Sequence, residues 1–168
     1  NPDLTDREIE KISERIAVAS LKYPLLSADL DKIVVFDVDE ALDITEESGS
    51  YVLYGYARAR RILEKAGVEV DMEKFDPGLL KEPEEKELIM LISSFPLVVK
   101  ESVENLQIKP LAKFMYEITL YFNKFYEKCP VLSEISEIRE NRLILVKSYV
   151  KLMEVLSKLL AIPLAERM

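Results

Sequence analysis

Pro110-Leu111-Ala112-Lys113-Phe114-Met115-Tyr116-Glu117-Ile118-Thr119-Leu120-Tyr121-Phe122-Asn123-Lys124-Phe125 is the stretch whose reading decides the fold class. Leu111, Phe114, Met115, Ile118, Phe122 and Phe125 recur at helical spacing and fall on one face of an α-helix. Pro110 suits the first turn, where its missing N–H is a donor that the helix start leaves unpaired anyway, and Pro130 follows the end. A helix with one broad apolar face must cover that face with other elements.

The neighbouring segments supply those elements. Thr5-Asp6-Arg7-Glu8 is a capping box, and Ile9, Ile12 and Ile16 line one face of a helix expected over residues 6–22, stopping before Pro24. Residues 33–36, Ile-Val-Val-Phe, form the only β-like run and are expected to be extended without a sheet partner. Ser48-Gly49-Ser50 reads as a turn, followed by a helix over 51–66 that Gly67 closes. Residues 68–81 read as a loop containing Pro77-Gly78. Pro83 opens a further helix, with Glu84 and Glu85 at the positive end of its dipole. Leu88, Leu91, Ile92 and Phe95 give it an apolar stripe, and Pro96 is expected to end or kink it before a short helix to 105. The last helix is expected over 134–160, with Ile138, Leu145, Tyr149, Leu152, Leu156 and Leu159 inward and Pro163 beyond. Several amphipathic helices and no sheet mean an all-α helical bundle, without internal repeats.

Composition agrees and excludes several functions. The chain of 168 residues suits one domain with at most a short appendage; 49% apolar residues suffice for a packed core, and four glycines are few for a β-rich fold. The single cysteine, Cys129, rules out an internal disulfide, and no Cys or His cluster suggests zinc. Zero histidines exclude Ser-His-Asp and Cys-His catalysis and the Glu-x-x-His di-iron bundle. No apolar run approaches the ~20 residues of a membrane span and no signal peptide is visible, so the cytoplasm is the expected compartment and no membrane partner is expected. The start at Asn1 rather than Met fits a piece of a longer chain, or a processed one.

The net charge of −8 argues against a surface coated in cations, although phosphate binding depends on charge distribution rather than on the total. Between Tyr51 and Lys65 four cations, Arg58, Arg60, Arg61 and Lys65, face one anion, Glu64. Projected at about 100° per residue, Val52, Tyr56, Ala59, Leu63 and Ala66 form the core stripe, while Tyr51, Tyr54, Arg58 and Arg61 share a neighbouring side. Such a face can stack a base on a ring while cations hold phosphates. The same pattern also fits tyrosines that flank the core and arginines that solubilise the surface. In Tyr121-Phe122-Asn123-Lys124-Phe125-Tyr126 the phenylalanines belong to the core stripe, whereas Asn123 and Tyr126 fall off it and can offer hydrogen bonds to a base edge.

Ile33-Val34-Val35-Phe36-Asp37-Val38-Asp39 resembles the start of a haloacid-dehalogenase-like phosphatase, whose aspartates work with magnesium. That fold needs further parallel strands, and helices follow here instead. Ala41 also stands where that family has Thr or Val, so Asp37, Asp39 and Glu40 read as turn and cap residues before a short helix.

The ordered set of segments resembles the arginyl-tRNA synthetases over essentially the whole chain. Phe36-Asp37-Val38-Asp39-Glu40-Ala41-Leu42, Gly49-Ser50-Tyr51-Val52-Leu53-Tyr54 and Ala57-Arg58 look like the junction of catalytic core and anticodon-binding domain. Leu79-Leu80-Lys81-Glu82-Pro83, Phe95-Pro96, Phe122-Asn123-Lys124-Phe125-Tyr126, Cys129-Pro130-Val131-Leu132, Arg139, Arg142-Leu143 and the closing Glu166-Arg167-Met168 follow in family order. Ile108-Lys109 departs from the Pro-His of many members, and Ser50 replaces a common proline.

The resemblance implies a helical anticodon-binding domain of DALR type over residues 50–168 and, over 1–49, the tail of the catalytic region, a short helical connector after the Lys-Met-Ser-Lys-Ser-type loop. It places Tyr51, Tyr54, Arg58, Tyr126 and Met168 near the anticodon loop of arginine tRNA; Arg58, Arg61 and Lys124 or Lys128 are the candidate phosphate contacts. The His-Ile-Gly-His and Lys-Met-Ser-Lys-Ser signatures are missing, so no cofactor is expected in this stretch. ATP with magnesium would serve the full-length ligase, and the catalytic domain of the same polypeptide would be the second partner. No DNA partner is implied. The rival reading is a helical protein–protein adaptor, which the acidic charge favours.

Overall fold

The computed structural model describes residues 4–44, 47–132 and 135–168. Six α-helices are present among them: α1 (Asp6–Ser27), α2 (Val38–Leu42), α3 (Gly49–Ala66), α4 (Pro83–Glu104), α5 (Lys109–Lys128) and α6 (Ser136–Leu160), with single 3₁₀ turns at Met72–Lys74 and Pro77–Leu79. The described residues contain no strand, as the all-α reading requires. Residues 33–37 lack regular structure, and Asp37 caps α2 by accepting the amides of Asp39 and Glu40. The Asp-x-Asp run is therefore a helix cap, with no sheet beneath it to form a phosphatase site.

Local chemistry starts and stops these helices. The capping box of α1 is made on both sides, Thr5 N donating to Glu8 Oε2 at 2.8 Å and Glu8 N to Thr5 Oγ1 at 3.4 Å. Ser48 caps α3 by accepting the Tyr51 amide at 3.0 Å, so the expected turn at 48–50 is the cap and first turn of the helix. Gly67 ends α3 at φ +61.

α1 departs from expectation by continuing past Pro24 to Ser27, while α4 runs through Pro96 as one helix, so that of the two expected outcomes there the end is excluded. A proline removes one backbone donor, but a helix held by tertiary packing survives that loss. Here Tyr23 anchors the end of α1 in the core, and Ser94 Oγ reaches back to the Leu91 carbonyl just before Pro96. The expected start of the last helix at Glu134 lies outside the described residues; α6 itself begins at Ser136. Leu159, expected inward, is half exposed because Leu160 takes the core position.

The core lies between α3, α5 and α6, with α1 and α4 packed around them. α3 is buried on most of its circumference, Leu53, Ala57 and Ile62 adding to the expected stripe. It comes this close because it carries glycine at both crossings. A Cβ at Gly49 would overlap the Ala19 carbonyl of α1, and one at Gly55 would overlap Thr119 Cγ2 of α5 and sit 3.0 Å from the Tyr149 hydroxyl of α6. Phe122 stacks on Tyr149 with centroids 4.1 Å apart and planes within 5°. The buried Tyr149 hydroxyl pairs with Thr119 Oγ1 at 3.0 Å, and Thr119 donates to the Met115 carbonyl, so the core's polar atoms there are satisfied.

One buried ion pair ties α4 to α6. Arg142 Nε donates to Glu85 Oε1 at 2.6 Å, while Glu85 Oε2 accepts the Glu82 amide and caps α4. Arg142 Nη1 also donates to the Pro130 carbonyl at 2.8 Å, which fixes the loop after α5. The long loop after α3 is fastened to α6 by Asn141, which accepts the Asp76 amide, and by Lys147, which donates to the Val70 carbonyl.

Two substitutions test this packing. Gly55→Val forces a side chain into the α3–α5–α6 contact and is expected to destabilise the fold by at least about 2 kcal/mol in urea unfolding. Leu106, 87% exposed, holds φ +53 after α4. Leu106→Gly removes the Cβ clash of that left-handed residue at no loss of packing and is expected to stabilise by about 1 kcal/mol in the same assay.

Candidate nucleic-acid interface

The second half of α3, the end of α5, the loop after it and the C-terminal residues surround an open groove of about 970 Å³. Tyr54, Arg58, Arg61 and Lys65 enter it from α3, Tyr126 and Glu127 from α5, Pro130, Val131 and Leu132 from the loop, and Glu166, Arg167 and Met168 from the tail, with Leu4 at the rim. The helix spacing explains the α3 contribution: positions 54, 58, 61 and 65 follow one another at steps of four, three and four.

Arg58 is the centre of the arrangement. Its guanidinium carbon lies 4.7 Å from the Tyr54 ring centroid and 4.8 Å from that of Tyr126. Nη1 donates to Asn123 Oδ1 at 2.7 Å and Nη2 to the Tyr54 hydroxyl at 3.1 Å. A guanidinium packed on two rings and bonded through two nitrogens has little orientational freedom left. Both rings remain accessible, Tyr126 at 41% of its surface and Tyr54 partly.

Asn123 is only 6% exposed, and its carbonyl oxygen is spent on Arg58. It reaches the groove through Arg58 rather than with a free edge of its own. Tyr51 stands apart from the group with which projection placed it. Its ring lies 5.3 Å from Tyr116, which in turn neighbours Tyr23 at 6.4 Å, and it is not among the groove's lining residues. α5 offers Tyr116 as an aromatic partner at the start of α3, and the ring settles there. Lys124 lies over the Tyr121 ring at 4.6 Å, while Lys128 is exposed at the end of α5. Arg60, counted among the cations of α3, pairs instead with Glu154 and Glu166 at 3.7 and 3.5 Å on the side facing α6. Beside it Tyr56 donates to Glu154, and burial together with that carboxylate pushes its phenol up to about 12.

Glu127, Glu166, Arg167 and the loop 130–132 escaped the projection, because they come from other elements of the chain. The loop and tail residues had their signal in the blocks Cys129-Pro130-Val131-Leu132 and Glu166-Arg167-Met168, while Glu127 had none. Leu4 carried no signal at all. Chemically, aromatic rings with adjacent cations and carboxylates suit a planar, polar, partly anionic ligand. Arg58, Arg61, Lys65 and Arg167 are offset by Glu64, Glu127 and Glu166, so the groove is far less acidic than the whole chain but is no simple phosphate trap.

Comparison with known proteins gives this geometry a family. The model of the DALR anticodon binding domain matches residues 52–168. The chain is 40% identical over 167 residues to the arginine--tRNA ligase of Methanopyrus kandleri, and 36% identical over 156 residues to that of Pyrococcus furiosus. These alignments take in 99% and 87% of this chain but 28% and 24% of the relatives, so the chain spans about a quarter of their length. Among solved structures, the arginyl-tRNA synthetase of Thermus thermophilus superposes with a TM-score of 0.90 at 29% identity, over 100% of this chain and 29% of the other. That of Plasmodium falciparum gives 0.82 at 28% identity, over 95% and 28%. The chain belongs to the DALR anticodon-binding domain family, in the form that the arginine--tRNA ligases carry.

Proposed function

We propose that this chain recognises the anticodon stem-loop of arginine tRNA as one part of an arginine--tRNA ligase. The observation that carries the reading is the Tyr54–Arg58–Tyr126 assembly, a fixed cation between accessible rings in a groove open to solvent. Unpaired bases of the loop stack on Tyr54 and Tyr126, each such contact contributing about 1–3 kcal/mol. Arg61, with Lys128 at the end of α5, meets the loop phosphates. Met168 gives an apolar contact at the groove's edge. Asn123 sets the orientation of Arg58, and Tyr51 braces α3 against α5 through Tyr116.

The ligase chemistry, with its ATP and magnesium, is assigned to the catalytic region of the same polypeptide, outside this stretch. Residues 1–49 form the connector to it and 50–168 the RNA-binding part. Leu30, Ile33, Val35 and Val38 of the connector are all exposed, Ile33 at 94%, and a row of uncovered apolar side chains supports docking of the catalytic region there. No helix among the described residues is long and apolar enough to cross a membrane, and the proposed site of action is the cytoplasm.

Every arginine codon has guanine in the middle, so the test compares arginine tRNA with a variant whose central anticodon cytosine is replaced, at low salt. Preference for the cytosine form is expected; indifference to tRNA altogether would favour a protein–protein adaptor. Tyr126→Ala is expected to weaken binding about five- to a hundredfold with an unchanged circular dichroism spectrum, and wild-type affinity in that variant would remove the stacking role. Ile33→Ser with Val35→Ser is expected to leave the unfolding free energy of this chain within about 0.5 kcal/mol while lowering the melting temperature of the full-length ligase. Equal melting temperatures would exclude docking at the connector.

A further inference from the structure

The C-terminal tail forms part of the groove, and Arg60 of α3 pairs with its Glu166 at 3.5 Å. After α6 the chain turns through Ala161 at φ +50, and Ser157 Oγ donates to the Ile162 carbonyl at 2.6 Å. Ile162 and Ala165 are buried and pin the middle of the tail. Two further backbone carbonyls here are taken by the opposite end of the sequence. Arg15 Nη1 donates to the Leu164 carbonyl at 2.9 Å, and Lys22 Nζ to the Ala161 carbonyl at 2.6 Å. Lys22 thereby also places a cation at the negative end of the α6 dipole. Just before α1, Leu4 joins Met168 in lining the groove.

We propose that α1 is a working part of the RNA-binding groove: Arg15 and Lys22 act as positioning residues that clamp the tail, so that Glu166, Arg167 and Met168 stand as one wall of the site. This rests on the reading of the groove as an RNA site. It means that the binding unit extends beyond the residues of the family domain, 52–168. α1, part of the proposed connector, and the wall that meets the ligand are joined by two side chains. A shift of α1 moves the wall, and a filled groove restrains α1.

The test is Arg15→Ala combined with Lys22→Ala, read by hydrogen exchange at residues 161–166, by affinity for an arginine anticodon stem-loop RNA, and by the urea midpoint. Arg15 is exposed and Lys22 partly so, and the double variant is expected to fold with a nearly unchanged midpoint. Faster exchange in the tail is expected, with an RNA dissociation constant raised about three- to tenfold. Lys22→Arg alone, which keeps the donor, is expected to leave both readouts at wild-type levels.

Three results would overturn the proposal. Unchanged exchange would show that the two side chains do not hold the tail. Faster exchange with unchanged affinity would show that the tail is no wall of the site. A salt slope reduced by about one per removed cation would show direct phosphate contact instead of positioning. Failure of the wild-type chain to bind the RNA would sink the functional reading itself, whereas equal binding by wild type and variant would sink only the clamp.

Discussion

Everything at the groove depends on α3 touching its neighbours where it has no side chain. One helix must be buried against α1, α5 and α6 and still keep Tyr54, Arg58 and Arg61 open to solvent. Ridge-into-groove packing with ordinary side chains sets helix axes some 8–10 Å apart. Gly49 and Gly55 remove the obstacle at the crossings, one against the Ala19 carbonyl and the other against Thr119 and Tyr149. The 54–58–61 face can then belong to a deeply embedded helix and inherit its rigidity, as a binding site requires if ligand binding is not to meet the cost of ordering it.

The second requirement is that Tyr126 meet Arg58, although the two lie on different helices. α5 achieves this with a division of labour around one turn. Phe122 and Phe125 are buried, Asn123 is turned into the α3–α5 seam to accept from Arg58, and Tyr126 emerges at the surface. Burying an amide costs stability unless it is paired, and the 2.7 Å bond to a charged donor meets that condition. The loop that follows is set by Arg142, whose pairing with Glu85 and the Pro130 carbonyl links the base of α4 to the groove wall. Burial pushes the adjacent Cys129 thiol up to about 11, with the Glu85 carboxylate adding to it, so the thiol stays protonated and inert at neutral pH.

Helical identity was legible because apolar periodicity and caps are local signals. Thr5 with Glu8, Gly67 and Pro83 mark real helix ends. Pro24 misled because a proline's local penalty is visible in sequence, whereas the tertiary contacts that outweigh it are not. The site divides in the same way. Tyr54, Arg58 and Arg61 follow from the geometry of one helix, but their company with Tyr126, the loop and the tail depends on how separate helices dock. Tyr51 shows the limit: it has the right angle on the helix wheel, yet a neighbour on α5 captures its ring. Arg60 does likewise, being a cation in composition and a tail anchor in space.

The acidic total remains to be reconciled with an RNA ligand. At physiological ionic strength charges are screened beyond about 8 Å, so most of the carboxylates that make up the −8 are too remote to govern contact at the groove. They do weaken long-range attraction, and close carboxylates such as Glu64 and Glu127 temper the nearby cations further. A duplex, which offers phosphates and few exposed base faces, gains little from such a surface. A loop with splayed bases gains, on the proposed reading, the stacking on Tyr54 and Tyr126 as well as a few phosphate contacts. On the proposed reading, the balance of charge is therefore part of the selectivity: by keeping non-specific phosphate attraction low, it leaves discrimination to ring stacking and to the shape of the groove.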